Sequence, residues 1–166
     1  MKPYQRVASM YLEGSSLFYV REEDGEHFYI VLYRDSSMSS EVGFINASLV
    51  TFDLSTANDL TTAPCIRDVR SLLQLFPSLR GRGSWVTVLV MNESEIDPEF
   101  RSQGVGKRLY LECMKEGWKD NSRKPFIFAP HYCIDGKTSN EAKRVWASLA
   151  RKYPSSGDCI AVLESP

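Results

Sequence analysis

Residues Trp85 to Met91 read Trp-Val-Thr-Val-Leu-Val-Met, a nearly continuous apolar run. A strand with one face in water alternates apolar and polar side chains, so a run of this kind fits a central strand covered on both faces. The rest of the pattern supplies a sheet around it. Leu17–Val20 and Phe28–Tyr33 are aromatic and β-branched, and the polar stretch from Glu22 to Glu26, with Gly25, suits a hairpin turn between them. Ser36–Ser40 reads as a second turn, and Glu41–Phe52 as a long third strand. Together these make an antiparallel meander.

Helical periodicity appears in three later places. Ile66, Val69, Leu72, Leu73 and Phe76 recur at helical spacing, which predicts a helix over 66–76, ended by Pro77 and Gly81-Arg82-Gly83. Between Gly104 and Trp118, one stripe carries Val105, Leu109 and Cys113, and the next carries Tyr110, Met114 and Trp118. Ala142, Val145, Trp146, Leu149 and Tyr153 predict a helix from about 140 to 152, with Ser139 or Asn140 as its cap. Pro125–Ala129 and Cys159–Leu163 read as short strands. The order β-β-β-(α)-β-α-β-α-β describes an α/β chain with a mixed, mostly antiparallel central sheet flanked by helices.

The 166 residues suit one domain, 1–166, with 53–84 as its divergent helical and loop segment. That segment reads equally as a lid, a dimer contact or simple packing. A net charge of -1 shows no basic surplus, so no nucleic-acid partner is expected. The cysteines at 65, 113, 133 and 159 form no C-x-x-C pair, and His27 and His131 lie far apart, so no metal site is expected. The first 16 residues lack an apolar leader, and no run reaches the length of a membrane span. Reduced thiols and a soluble, cytoplasmic setting without membrane contact are the corresponding expectations.

Chemistry concentrates in the loop Arg101-Ser102-Gln103-Gly104-Val105-Gly106-Lys107, which opens the second predicted helix. A helix start leaves several backbone N–H groups unpaired and carries about half a positive charge. Glycines at 104 and 106 remove Cβ atoms that would keep an anion from those amides, and Arg101 and Lys107 add charge on either side. An anion site results, most naturally for a pyrophosphate. The loop matches neither G-x-x-x-x-G-K-[ST] nor G-x-G-x-x-G, so it is neither a P-loop nor a dinucleotide-binding turn.

The stretch Ile96 to Leu109, with its P-x-x-R turn and R-x-x-G-x-G at a helix start, resembles the signature of the GNAT (GCN5-related N-acetyltransferase) superfamily. Glu41–Ile45 resembles that family's preceding strand, and Asn140–Trp146 its later cofactor-flanking helix. The resemblance spans roughly residues 28 to 163. It implies an acetyl-CoA-dependent N-acetyltransferase, EC 2.3.1 in type, acting on a primary amine of a small molecule or protein. It also implies acetyl-CoA as co-substrate, with pyrophosphate on the amides of residues 103 to 107. Pantetheine would pair along Ser94, Glu95 and Ile96, and Asn140 would flank it. A homodimer is the other partner kept open.

The sequence departs from the family at the catalytic positions. Where many members carry a proton-donating tyrosine this chain has Trp146, leaving Tyr132 and Tyr153 as substitutes. Where many carry a carboxylate it has Val90, so Glu93 is the preferred base over Glu95, with His131 the other group titrating near neutrality. The candidate catalytic pair is therefore Glu93 and Tyr132. A short turn also replaces the helices that usually separate the first two strands. Two readings compete with catalysis: a GNAT-like scaffold for CoA or protein binding, and a small nucleotide-binding protein.

Overall fold

The computed structural model describes residues 5–25, 27–56, 66–131 and 139–166. Among the described residues eight strands form one sheet: β1 (Gln5–Tyr11), β2 (Phe18–Glu23), β3 (Phe28–Tyr33), β4 (Glu41–Asp53), β5 (Trp85–Ile96), β6 (Phe126–Pro130), β7 (Ser155–Ser156) and β8 (Cys159–Val162). Their spatial order is β1-β2-β3-β4-β5-β6-β8-β7. Among the described strands only β5 and β6 run parallel; the other neighbours are antiparallel. The helices are α1 (Ile66–Leu75), α2 (Val105–Asp120) and α3 (Asn140–Ala150). The expected mixed, mostly antiparallel sheet with flanking helices is the architecture observed.

Both faces of β5 are covered, as its unbroken apolar run requires. Val86, Val88 and Val90 join Val69 and Leu72 of α1 in one core, whereas Leu89 and Met91 join Leu109, Phe128 and Trp146 in the other. Helices α2 and α3 share this second face. At Gly117 the helix α2 presses on β5 so closely that a Cβ would lie 2.6 Å from Leu89 Cδ2.

Polar groups tie α2 to the sheet at its far end. The Tyr19 hydroxyl donates to Glu112 at 2.8 Å, and Arg21 donates to Glu116 and Asp120, each at 2.5 Å. The Arg21 guanidinium also stacks 4.8 Å from the Phe28 ring centroid. Burial alone would raise the Glu116 carboxyl, but hydrogen bonds from Lys119 and Arg21 hold it below the ordinary range.

Besides the two-residue β7, which the sequence did not mark, two features differ from the sequence reading. The strand β1 precedes the expected first strand; its Arg6 and Ser9 break the apolar alternation that marks a strand, as an edge position permits. The other is the length of β5, which continues past Met91 to Ile96. Asn46 pairs with Glu93 but Ala47 with Met91, so Asn92 is an extra residue in the ladder. This bulge reverses the alternation. Ser94 then shares a face with its partner Ile45, on the α2 side, and Glu93 shares the opposite face with Asn46 and Tyr29.

Candidate active site

The sheet opens at one point. Strand β6 pairs with β5 only from Val88 to Met91, and the His131 N–H closes the contact by donating to the Met91 carbonyl at 2.8 Å. Beyond it β5 continues to Ile96 with β4 on one edge and no described strand on the other. The N-terminus of α2 and one side of α3 complete the walls of a cleft of about 510 Å³, within the range of small-molecule sites.

Several contacts shape the loop between β5 and α2. The Asp97 N–H donates to the Val42 carbonyl at 2.8 Å, Arg101 Nε to the Ile96 carbonyl at 2.8 Å, and Gln103 Nε2 to the Glu99 carbonyl at 2.7 Å. Arg34 forms an ion pair with Glu99 and lies 5.0 Å from the Phe100 ring centroid. Ser102 and Gly104 both take left-handed backbone, at φ +66° and +75°. Gly104 is the N-cap of α2, and no side chain caps the helix there. Residues 101 to 104 are all exposed. Among the described residues no side chain accepts from the first amides of α2, which is the arrangement that holds anions. The cradle is narrow as well: a Cβ on Gly106 would touch Ile96 Cδ1 and Val145 Cγ2, each at 3.5 Å.

Most residues expected from the sequence meet in this cleft. Glu93, Ser94, Glu95 and Ile96 form its strand wall, and Arg101, Ser102, Gly104, Gly106 and Lys107 its floor. Three expected residues do not line it. Val105 faces the core, 4% exposed; the Gln103 side chain turns back to Glu99; and Asn140 is exposed at the start of α3. Ser139 takes the capping role, accepting from the Ala142 N–H at 3.1 Å, and it lines the cleft where Asn140 does not. Tyr132 lies outside the described residues. Tyr153 packs against the core, with its hydroxyl pushed upward by burial. Cys113 and Cys159 are both buried, and Cys65 and Cys133 lie outside the described residues.

The structure adds residues that sequence reasoning passed over. Arg144 and Ser148 bring a third cation and a hydroxyl from α3, and Tyr110 closes the inner wall from α2. Tyr110 sits one helical turn past Gly106 on the same stripe, which was the available signal. Its hydroxyl lies 3.0 Å from Ser94 Oγ, and its ring meets Trp146 edge-on at 5.4 Å. Burial pushes the Tyr110 phenol up to about 12. Trp146, which stands where the family's tyrosine would be, is 3% exposed and packs against Phe128 at 4.8 Å. Its Nε1 has no hydrogen-bond partner among the described residues.

No family model matches the chain, and no curated protein matches it. Solved structures do. The structure of AtaT complexed with acetyl-methionyl-tRNAfMet is similar at a TM-score of 0.52 and 12% identity, covering 84% of this chain and 72% of that one. A mutant AtaT toxin bound to the C-terminus of the antitoxin AtaR and acetyl-CoA gives 0.48 and 12%, covering 82% and 67%. Nourseothricin acetyltransferase gives 0.40 and 12%, covering 98% and 84%. Topology and similarity together give the chain the fold of the GNAT superfamily.

Proposed function

We propose that the chain is an acetyl-CoA-dependent N-acetyltransferase acting on a primary amine. The observation that carries this reading is the edge of β5 that no described strand covers, which leads from the bulge at Asn92 to the start of α2, where no described side chain caps the helix. Acetyl-CoA would supply an activated acetyl thioester. The amides of residues 103 to 107, flanked by Arg101 and Lys107, suit its pyrophosphate, and the backbone of Ser94 to Ile96 suits an extended arm carrying amides. A pantetheine arm is about as long as four extended residues, ~13 Å, which from Ile96 reaches the bulge. The bulge interrupts the β4–β5 ladder, and a main-chain N–H freed there would be able to polarise a carbonyl.

Glu93 stands beside that bulge, exposed, on the face opposite α2. An amine arriving over that face would meet a carboxylate able to take its proton, directly or through water. The chain's charge balance supports a small-molecule or protein acceptor over a nucleic acid. AtaT is complexed with acetyl-methionyl-tRNAfMet, so an aminoacyl-tRNA belongs in an acceptor panel. Among the described residues no helix is long and apolar enough to cross a membrane; a cytoplasmic setting is part of the proposal. A second reading, CoA binding without catalysis, draws on Trp146 in place of a phenol.

Thermal melting with acetyl-CoA, CoA and ATP tests the reading. Ligand at 100 times its dissociation constant stabilises by about 2.7 kcal/mol, or roughly 5–11 °C for a chain of this size. Acetyl-CoA is expected to raise the melting temperature and Gly104→Glu to abolish the rise. No shift with acetyl-CoA or CoA overturns the proposal. A shift without thiol release across amine panels selects the binding reading.

A further inference from the structure

The hydroxyls of Ser94 and Tyr110 form a pair whose accounting is incomplete. Each carries one proton, and the bond between them at 3.0 Å uses one of the two. Among the described residues neither side chain makes another hydrogen bond, so one O–H is left uncommitted at the cleft wall. Tyr110 is 2% exposed, and its ring is held edge-on by Phe128 at 6.2 Å and by Trp146 at 5.4 Å, which leaves it little freedom to turn towards water. A donor at the cleft wall with no described protein acceptor is free to meet a ligand carbonyl.

We infer that the Ser94–Tyr110 pair is a donor to an amide carbonyl of the pantetheine arm, making Ser94 and Tyr110 specificity residues for the pantetheine portion of the ligand. This rests on the proposed use of CoA. Position along the strand selects the amide over the thioester. Ile96 marks the phosphate end, because it flanks Gly106. Ser94 is two residues further along β5, about 7 Å, which is near the middle of the ~13 Å arm. The thioester end falls further on, at the bulge, out of reach of this pair. The phenol also holds its proton through the whole working range, so it is available as a hydrogen-bond donor.

The test compares binding of CoA with binding of adenosine 3′,5′-bisphosphate, which lacks the arm, by titration calorimetry on the wild type, Tyr110→Phe and Ser94→Ala. Each variant loses either the donor or the partner that orients it, so CoA binding is expected to weaken about 3- to 10-fold in each, with affinity for the bisphosphate unchanged. With acetyl-CoA and an accepted amine, KM rises by the same factor and kcat stays within twofold. Equal weakening of both ligands assigns the residues a purely structural role and overturns the inference, as does unchanged CoA affinity. A drop in kcat at constant KM places the donor at the thioester and also overturns it. Failure of the wild type to bind CoA defeats the underlying reading, a result separate from any behaviour of the variants. Should Tyr110→Phe fold poorly, Ser94→Ala decides alone.

Discussion

Replacing Arg21 with methionine tests whether the two ends of α2 are separate devices. Arg21 is 3% exposed and binds Glu116 and Asp120, each at 2.5 Å. Removing one partner of a buried ion pair costs about 3–5 kcal/mol, mostly from the charge left behind. Two details favour the lower end. Lys119 still reaches Glu116 at 2.6 Å, and Arg21 Nε has no partner among the described residues. The expected loss is therefore about 3 kcal/mol, or roughly 6–12 °C in melting temperature. The pH dependence follows from Glu116, whose folded carboxyl lies below its unfolded value of 4.5. Such a group contributes stability above the unfolded value and loses it as pH falls through the folded one. Without Arg21 the burial of Glu116 opposes ionisation with less to offset it, so protonation relieves the variant while it weakens the wild type. Urea denaturation at pH 7 and pH 4 is expected to show a gap that narrows in acid. Glu116 lies ten residues beyond Gly106, about 15 Å along the helix, so acetyl-CoA affinity of the folded variant stays at the wild-type value. A gap below about 1 kcal/mol, or one identical at both pH values, refutes the assignment of a buried, Arg-dependent carboxylate.

Other substitutions probe the cleft itself. A Cβ at Gly43 would collide with the Glu95 carbonyl oxygen and stand 2.9 Å from Ile96 Cα, so Gly43→Ala forces β4 from β5 and is expected to cost about 1–3 kcal/mol; calorimetry should show weaker CoA binding, and a variant with wild-type affinity would show that the strand edge tolerates the displacement. Glu93→Gln is expected to lower kcat/KM by about 100-fold near neutrality, with the deficit shrinking at higher pH where the amine is already neutral; full activity at pH 7 removes Glu93 from the mechanism. Because the Trp146 Nε1 has no partner among the described residues, Trp146→Phe should cost less than about 1.5 kcal/mol and leave turnover unchanged, whereas Trp146→Ala should cost about 3–5 kcal/mol; a large activity loss in the phenylalanine variant would give the indole N–H a chemical role.

What the sequence disclosed and what it withheld divide along a physical line. The apolar run from Trp85 to Met91 announced cover on both faces of a strand, and the helix of Ala142, Val145, Trp146 and Leu149 could be placed because burial imposes a period on side chains. Gly104 marked a helix start for the same kind of reason, since few residues other than glycine tolerate the left-handed backbone there. The bulge at Asn92 has no such mark. It is a property of the pairing between β4 and β5, one residue out of step, and neither strand alone carries it. Yet this slip sets the geometry of the cleft. It turns Ser94 towards Tyr110 and sends Glu93 to the opposite face, whereas plain alternation from Leu89 and Met91 would carry Glu93 to the α2 side. A residue's distance from a motif is written in the chain, and the side of the sheet it serves is decided by its partner strand. Removing the extra residue, by deletion of Asn92, would return Glu93 to the α2 face and separate Ser94 from Tyr110, so the two faces of the proposed reaction depend on a single surplus residue.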